Sequence, residues 1–281
     1  EKVNFWIKIN MNNVSFQGEH GAYSESAARK FFGEDINTIP CKSFGDALRV
    51  TEEGDSNYSV LPVENSIEGT VGQSIDAITN TSLHSIGEVY LKVEHCLIGK
   101  GKVEDIKTVY SHPQALGQCS DFIQNRKLHT VPTYDTAGSV KIVKDMDDLQ
   151  SASIASYDAG KLYDVPIIEK GIENNSNNYT RFLIFSKENS SESPNDKTSI
   201  IFSVKHEPGA LYQILKEFND NGINLTKIES RPNKNTNWEY NFFVDLIGHF
   251  ANSKISSVLN KISENTIFLK VLGSYPVSDL D

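Results

Sequence analysis

Residues 186–198, SKENSSESPNDKT, cut the chain in two. The stretch is rich in serine, asparagine and charge, carries Pro194, and follows neither a strand nor a helix period, so it reads as a linker. It separates a large region, residues 12–185, from a small one, residues 199–276. With 281 residues in all, each part is long enough to bury a core of its own.

The small region has a legible pattern. TSIIFSVK alternates, with Ile200, Phe202 and Val204 on one face. PGALYQILKEFNDNG sets Leu211, Ile214, Leu215 and Phe218 at helical spacing, with Pro208 before it and Gly222 as a stop. NLTKIESRP and EYNFFVDL read as strands around a polar turn at residues 233–237, followed by a helix in ANSKISSVLNKISEN and a strand in TIFLKVLGSY. The order βαββαβ predicts an α+β ferredoxin-like module.

The large region alternates apolar strands with helices. VSFQG, YSVLPVE and TVYSH read as strands. Ser43 with Asp46 forms a capping-box-like start for one helix, and Thr70 with Gln73 suggests another. The alternation predicts a mostly parallel sheet covered by helices, with ligands beyond the carboxyl ends of its strands. FLIF, residues 182–185, is continuous rather than alternating, as in a strand buried on both faces.

Composition excludes several classes of function. A formal charge of −10 argues against nucleic acid or an anionic membrane as the partner. An anionic substrate must then be held by one or two arginines or by helix N-termini. Cys41, Cys96 and Cys119 form no CxxC pair, which points to a reducing, cytoplasmic setting. No apolar run reaches the length of a membrane span. Residues 1–10 are too short and too polar for a signal sequence and receive no function.

Polar clusters follow three of the apolar strands: EHGAYSES, ENSIEGTVG and SHPQALGQC. A fourth, NNYT, stands ahead of RFLIF. Singly, Ser24, Asn65, Thr70 and Ser111 make ordinary helix caps. There is no GxSxG elbow for a serine hydrolase, no HExxH or other metal-ligand spacing, and no GxGxxG or phosphate loop. No metal or cofactor is expected.

Together FQGEHGAYSESAA, LPVENSIEGTVG, SHPQALGQC, NYTRFLIF, EPGALYQIL and IESRP, in order across residues 14–276, resemble prephenate dehydratase, a catalytic domain joined to an ACT regulatory domain. Three places depart from the family pattern. EHGAYS stands where many members have a proline and GTFS or GTYS. Asp135-Thr136-Ala137 replaces a Ser-Thr-Ala segment, and Leu116-Gly117 varies the SHPQ motif. The first change touches the cleft and leaves the substrate open, because arogenate dehydratases belong to the same family.

The resemblance implies a two-lobed catalytic domain like periplasmic binding proteins, with its site in the interlobe cleft. It implies conversion of prephenate to phenylpyruvate, carbon dioxide and water without a cofactor. Thr180 would meet the leaving hydroxyl through a hydrogen-bond relay, since a threonine hydroxyl is too weak an acid to protonate it alone. Arg181 would orient a substrate carboxylate or brace the strand mouth. Asn65, Ser66, Ser111 and Gln118 would supply further polar contacts, Glu64 would orient them or share a proton, and Ala22 and Phe182 would line the substrate. In the small domain, Gly209, Ala210 and Leu211 with Glu229, Ser230, Arg231 and Pro232 would bind phenylalanine across paired chains, in a dimer or tetramer. The rival reading is a non-catalytic amino-acid sensor built from the same parts.

Overall fold

The computed structural model describes residues 11–232 and 240–280. The leader at residues 1–10 and the turn expected at 233–237 lie outside them. The first lobe runs β1 (Asn12–Gln17), α1 (Tyr23–Phe32), β2 (Ile36–Cys41), α2 (Phe44–Glu53), β3 (Tyr58–Asn65), β4 (Gly69–Thr70), α3 (Gly72–Asn80) and β5 (His84–Lys92). The chain then crosses to a second lobe of β6 (Cys96–Gly99), β7 (Thr108–Ser111), α4 (Pro113–Gln118), α5 (Ser120–Asn125), β8 (His129–Pro132), α6 (Gly138–Met146), β9 (Ser151–Ala155), α7 (Tyr157–Leu162) and β10 (Ile167–Lys170). It returns as β11 (Tyr179–Ser186), which enters the first sheet between β3 and β5, giving the order β2-β1-β3-β11-β5 with β4 on β3.

The large region therefore holds two sheets, not one. β1 pairs in parallel with β2 and β3, but β11 runs antiparallel to both its neighbours. The second sheet, ordered β10-β6-β9-β7-β8, is likewise mixed. The two crossings, residues 93–95 and 171–178, lie side by side: Val93 N–H donates to the Asn178 carbonyl at 2.8 Å, and Ile172 N–H to that of His95 at 3.2 Å. The cleft lies beside this double crossing, with Val93 and His95 in its wall.

The C-terminal module, β12 (Asp196–Ser203), α8 (Ala210–Asp220), β13 (Leu225–Pro232), β14 (Tyr240–Ile247), α9 (Ser253–Ser263) and β15 (Phe268–Pro276), has the expected βαββαβ order. Its sheet, β13-β14-β12-β15, packs Ile200, Phe202 and Val204 against its two helices. The opposite face is buried too. Ile201, Phe243, Leu272 and Tyr275 join Leu61, Val63, Leu183 and Phe185 of the first lobe in one hydrophobic cluster. The linker is accordingly shorter than expected. Asp196, Lys197 and Thr198 are buried residues of β12.

Local signals held in part. Ser43 caps α2, accepting from Asp46 N–H at 3.1 Å. Thr70 does not cap α3, whose N-cap is Val71. Neither Ser24, Asn65 nor Ser111 caps a helix: α1 starts from Ala22 and α4 from His112.

Candidate active site

The pairing of β3 with β11 builds the site. Its register sets Thr180 opposite Asn65 and Arg181 opposite Glu64. Successive residues of a strand face opposite sides of a sheet. One pair therefore looks into the interlobe cleft and the other away from it. Thr180 and Asn65 line a cavity of about 220 Å³, together with Ala22, Gln118 and Phe182.

The Asn65 amide is fixed at both ends. Its Oδ1 accepts from the N–H groups of Ile67 and Glu68 at 3.0 and 2.9 Å, and its Nδ2 donates to Thr180 Oγ1 at 2.9 Å and Asn178 Oδ1 at 2.7 Å. Because Thr180 Oγ1 accepts this bond, its own proton is left for another partner. No protein acceptor meets it among the described residues. A hydroxyl that accepts one hydrogen bond becomes a stronger donor in the next.

Gln118 is held the same way. Its Oε1 faces Asn178 Nδ2 at 3.2 Å and His95 Nε2 at 2.9 Å. With the amide so placed, His95 donates from Nε2, and its Nδ1 faces the Tyr23 hydroxyl at 3.1 Å. The single Tyr23 hydroxyl proton is shared between that Nδ1 and the Glu94 carbonyl, the latter at 2.7 Å. Burial pushes His95 below the ordinary imidazole range, against the opposing pull of Gln118, so the ring is neutral at pH 7. The Gln118 amino group is thereby left to the cavity. His95 lies in the first crossing and was missed in the sequence, where a lone histidine between apolar residues reads as core.

The cavity has an unusual charge balance for an anionic substrate. No lysine or arginine lines it, and Asp135 is the one carboxyl in its lining among the described residues, its pKa raised by burial. The positive ends it presents are backbone. Gly21, Ala22, Tyr23 and Ser24 place the start of α1 in the wall, and Ala22 gives that start no side-chain cap. Val71 does the same for α3. The α1 entry is set by Glu25, whose Oε2 accepts from Gly21 N–H at 2.6 Å. Burial alone would raise this carboxyl, but hydrogen bonds from Thr38, Gly21 and His20 prevail and hold it below the usual carboxylate range. Gly21 itself has a φ of +87°, and a β-carbon there would stand 2.8 Å from the Ala159 backbone of the second lobe.

Four of the anticipated contacts are not brought to the cleft. Arg181 is only 4% exposed and faces the ACT domain: its Nε donates to Glu88 at 2.7 Å, its Nη1 to Asp245 and its Nη2 to the Tyr275 hydroxyl at 2.9 Å. It takes the second of the two roles expected of it, bracing the strand mouth, and does not line the cavity that holds Thr180. Glu64 turns the same way, pairing with Lys227 of β13 at 2.7 Å. Ser111 is fully buried and spends its hydroxyl on the Ile154 carbonyl at 2.6 Å, tying β7 to β9. Ser66 donates to the Asn177 carbonyl at 2.9 Å, outside the cavity lining.

The sequence profile of prephenate dehydratase matches residues 14–190, and that of the ACT domain residues 198–264. This chain belongs to the prephenate dehydratase family. It is 36% identical to the bifunctional chorismate mutase/prephenate dehydratase of Neisseria gonorrhoeae, over 95% of this chain and 75% of that one. It is 38% identical to the chloroplastic arogenate dehydratase/prephenate dehydratase 2 of Arabidopsis thaliana, over 94% and 72%. The crystal structure of the Arthrobacter aurescens prephenate dehydratase in complex with L-Phe superposes with a TM-score of 0.86 at 29% identity, covering 94% of this chain and 90% of that one. The chain is thus a dehydratase, a carbon–oxygen lyase, carrying an ACT domain. None of its described helices is long and apolar enough to cross a membrane.

Proposed function

We propose that the cleft carries out decarboxylative dehydration with Thr180 as the donor to the leaving oxygen. In prephenate the bond from the ring to its carboxylate breaks, its electron pair enters the ring, and the bond to the opposite hydroxyl breaks with its pair on oxygen. One proton completes the balance, giving phenylpyruvate, carbon dioxide and water. The observation that carries the reading is the Asn65–Thr180 bond, which leaves the threonine proton to the cavity. A preorganised donor aimed at an oxygen that gains charge acts in the transition state more than in the ground state. Phe44, Pro62, Val71, Val93 and Phe182 give the cavity an apolar wall, which solvates a ring carboxylate poorly and favours its loss as neutral carbon dioxide. The uncapped start of α1 and the Gln118 amino group remain to hold the side-chain carboxylate.

Incubation with prephenate should release phenylpyruvate, followed by its absorbance in alkali, with one carbon dioxide per turnover. A protein that binds phenylalanine but turns over neither prephenate nor arogenate is the sensor instead. The absence of a disulfide among the three cysteines fits a cytoplasmic enzyme.

Regulation is read as feedback by phenylalanine at the ACT domain, in keeping with the L-Phe bound in the Arthrobacter aurescens structure. Gly209 is the N-cap of α8 with a φ of +86°, and Ala210 and Leu211 open that helix. Glu229, Ser230, Arg231 and Pro232 line a separate small cavity at the edge strand β13. Gly209, Ala210 and Leu211 are not among the described residues that line this cavity, which supports a site completed by a second copy. Tyr212 and Ile228, 65% and 46% exposed, give such a copy an apolar face, in keeping with a homodimer or a homotetramer. The path back to the cleft is short. Arg181, next to Thr180, is bonded to Asp245 of the ACT sheet. A differential affinity of the effector for two arrangements of that junction gives roughly 5–150-fold modulation. Gly209→Val strains a positive-φ position and should raise the phenylalanine concentration needed for half inhibition severalfold. Calorimetry and activity titrations check this, and unchanged inhibition removes Gly209 from the effector site.

A further inference from the structure

Asn178 stands in the second crossing between the lobes, wholly buried, and is not among the described residues of the cavity wall. It belongs to the NYTRF motif, yet the mechanism above gives it no role. Its side-chain amide lies between those of Asn65 and Gln118. Its Oδ1 accepts from Asn65 Nδ2 at 2.7 Å, and its Nδ2 donates to Gln118 Oε1 at 3.2 Å. An amide can sit either way round, and its partners decide which. Here the decision starts at the backbone. The N–H groups of Ile67 and Glu68 can only donate, so both meet the oxygen of Asn65, at 3.0 and 2.9 Å. That turns the Asn65 amino group toward Thr180 and Asn178. Asn178 must answer with its oxygen, and so offers its own amino group onward. Gln118 answers with its oxygen in turn, and that Oε1 also faces His95 Nε2 at 2.9 Å. An oxygen there requires the ring proton on Nε2, which leaves the lone pair of Nδ1 toward Tyr23. Turning any one amide round would set like groups face to face in a buried row, at the cost of an unmade hydrogen bond.

We propose that Asn178 is a positioning residue that carries the sense of this row from the first lobe to the second, and so aims the Gln118 amino group at the substrate. Thr180, on β11 of the first lobe, and Gln118, at the end of α4 in the second, each present a donor to the same cavity. Each does so because the row has already taken its accepting side. Both the leaving oxygen and the side-chain carboxylate need donors. A row of the opposite sense would take up the Thr180 proton and turn the Gln118 carbonyl oxygen toward an anion. The source of the sense is two backbone N–H groups in the turn between β3 and β4, which have neither a second orientation nor an ionised form. The direction is thus built in before any ligand arrives, as preorganised donors require. The inference rests on the dehydratase reading for the substrate groups that meet the two donors, whereas the row itself needs no substrate.

The tautomer of His95 reports the sense of the row, and nitrogen NMR on the full chain with ring-labelled histidine reads it. Spectra are taken without ligand at about pH 8, above the ordinary imidazole range. His95→Gln identifies its signals among the seven histidines. Wild type should carry the proton on Nε2. Asn65→Asp replaces the amino group with a second oxygen, and the Ile67 and Glu68 N–H groups favour its ionised form. Asn178 and Gln118 should then both turn round, and the His95 proton should move from Nε2 to Nδ1, three side chains away from the substitution. In the background of Asn178→Leu, or of Asn178→Ala where the leucine variant does not fold, Asn65→Asp should no longer move it. A wild-type ring protonated on Nδ1 overturns the proposal. So does a tautomer that ignores Asn65→Asp, or one that responds to it equally when Asn178 is replaced. None of these readings involves turnover, so failure here leaves the dehydratase reading standing, while failure of that reading shows in the prephenate assay alone.

Discussion

Thr180→Val lowers kcat by about 10²–10³ while the protein stays folded, because a single preorganised donor to a reacting oxygen contributes roughly 2.7–4 kcal/mol to the barrier. The substitution is nearly isosteric, and Asn65 keeps its bonds to Asn178 and to the Tyr179 carbonyl, so the cavity wall should hold its shape. Thr180→Ser restores the hydroxyl at the same carbon and should recover most of the rate. KM should move little, since the bond is made mainly to charge that develops as the hydroxyl leaves. Steady-state kinetics on the two variants, with circular dichroism for folding, decides the matter. Turnover near wild type in the valine variant ends the assignment.

Glu88→Gln should destabilise the chain by about 3–5 kcal/mol, the usual result of breaking a buried charge group by removing one partner. Glu88 is 3% exposed and accepts from Arg181 at 2.7 Å, from Lys197 at 2.8 Å and from Ser278 N–H at 3.1 Å. With Asp245 the cluster holds two cations and two anions, and the substitution leaves one excess positive charge in the junction. Glu88→Leu combined with Arg181→Met removes a cation with its anion and should recover much of the loss. Urea unfolding of the three proteins measures both effects. A single substitution costing under about 1 kcal/mol, the range of an exposed ion pair, would show that water reaches the cluster.

Much of the architecture could be read along the chain because it is written in short periods. The βαββαβ order follows from local patterning alone, and so does the capping of α2 by Ser43. What could not be read is the direction in which adjacent residues point. ENS and YTR each put two polar residues in a row on a strand, and alternation guarantees that only one of each pair enters the cleft. A strand that shows the same apolar run on both faces gives no clue to which. Thr180 and Asn65, expected at the cleft, do face it, whereas Glu64 faces away and Arg181 takes the bracing one of its two expected roles. Ser111 misled for a related reason: a serine at a strand end inside a conspicuous motif was here a tie between β7 and β9. His95 was invisible because its side-chain partners Tyr23 and Gln118 come from segments 72 residues back and 23 residues further on. Nor could spacing show that β12 starts inside the polar stretch, since Lys197 is buried only by virtue of Glu88.

The place of β11 governs the order in which this protein comes into being. That strand is made after the whole second lobe, yet it lies in the interior of the first lobe's sheet, between β3 and β5. A nascent chain that has delivered β1 to β5 therefore holds two unjoined pieces of sheet, with the apolar edges of β3 and β5 exposed. The second lobe, contiguous from Cys96 to Lys170, has every strand it needs and can close while the first still waits. The half synthesised first is finished last, and its unpaired edges are where a chaperone has most to protect.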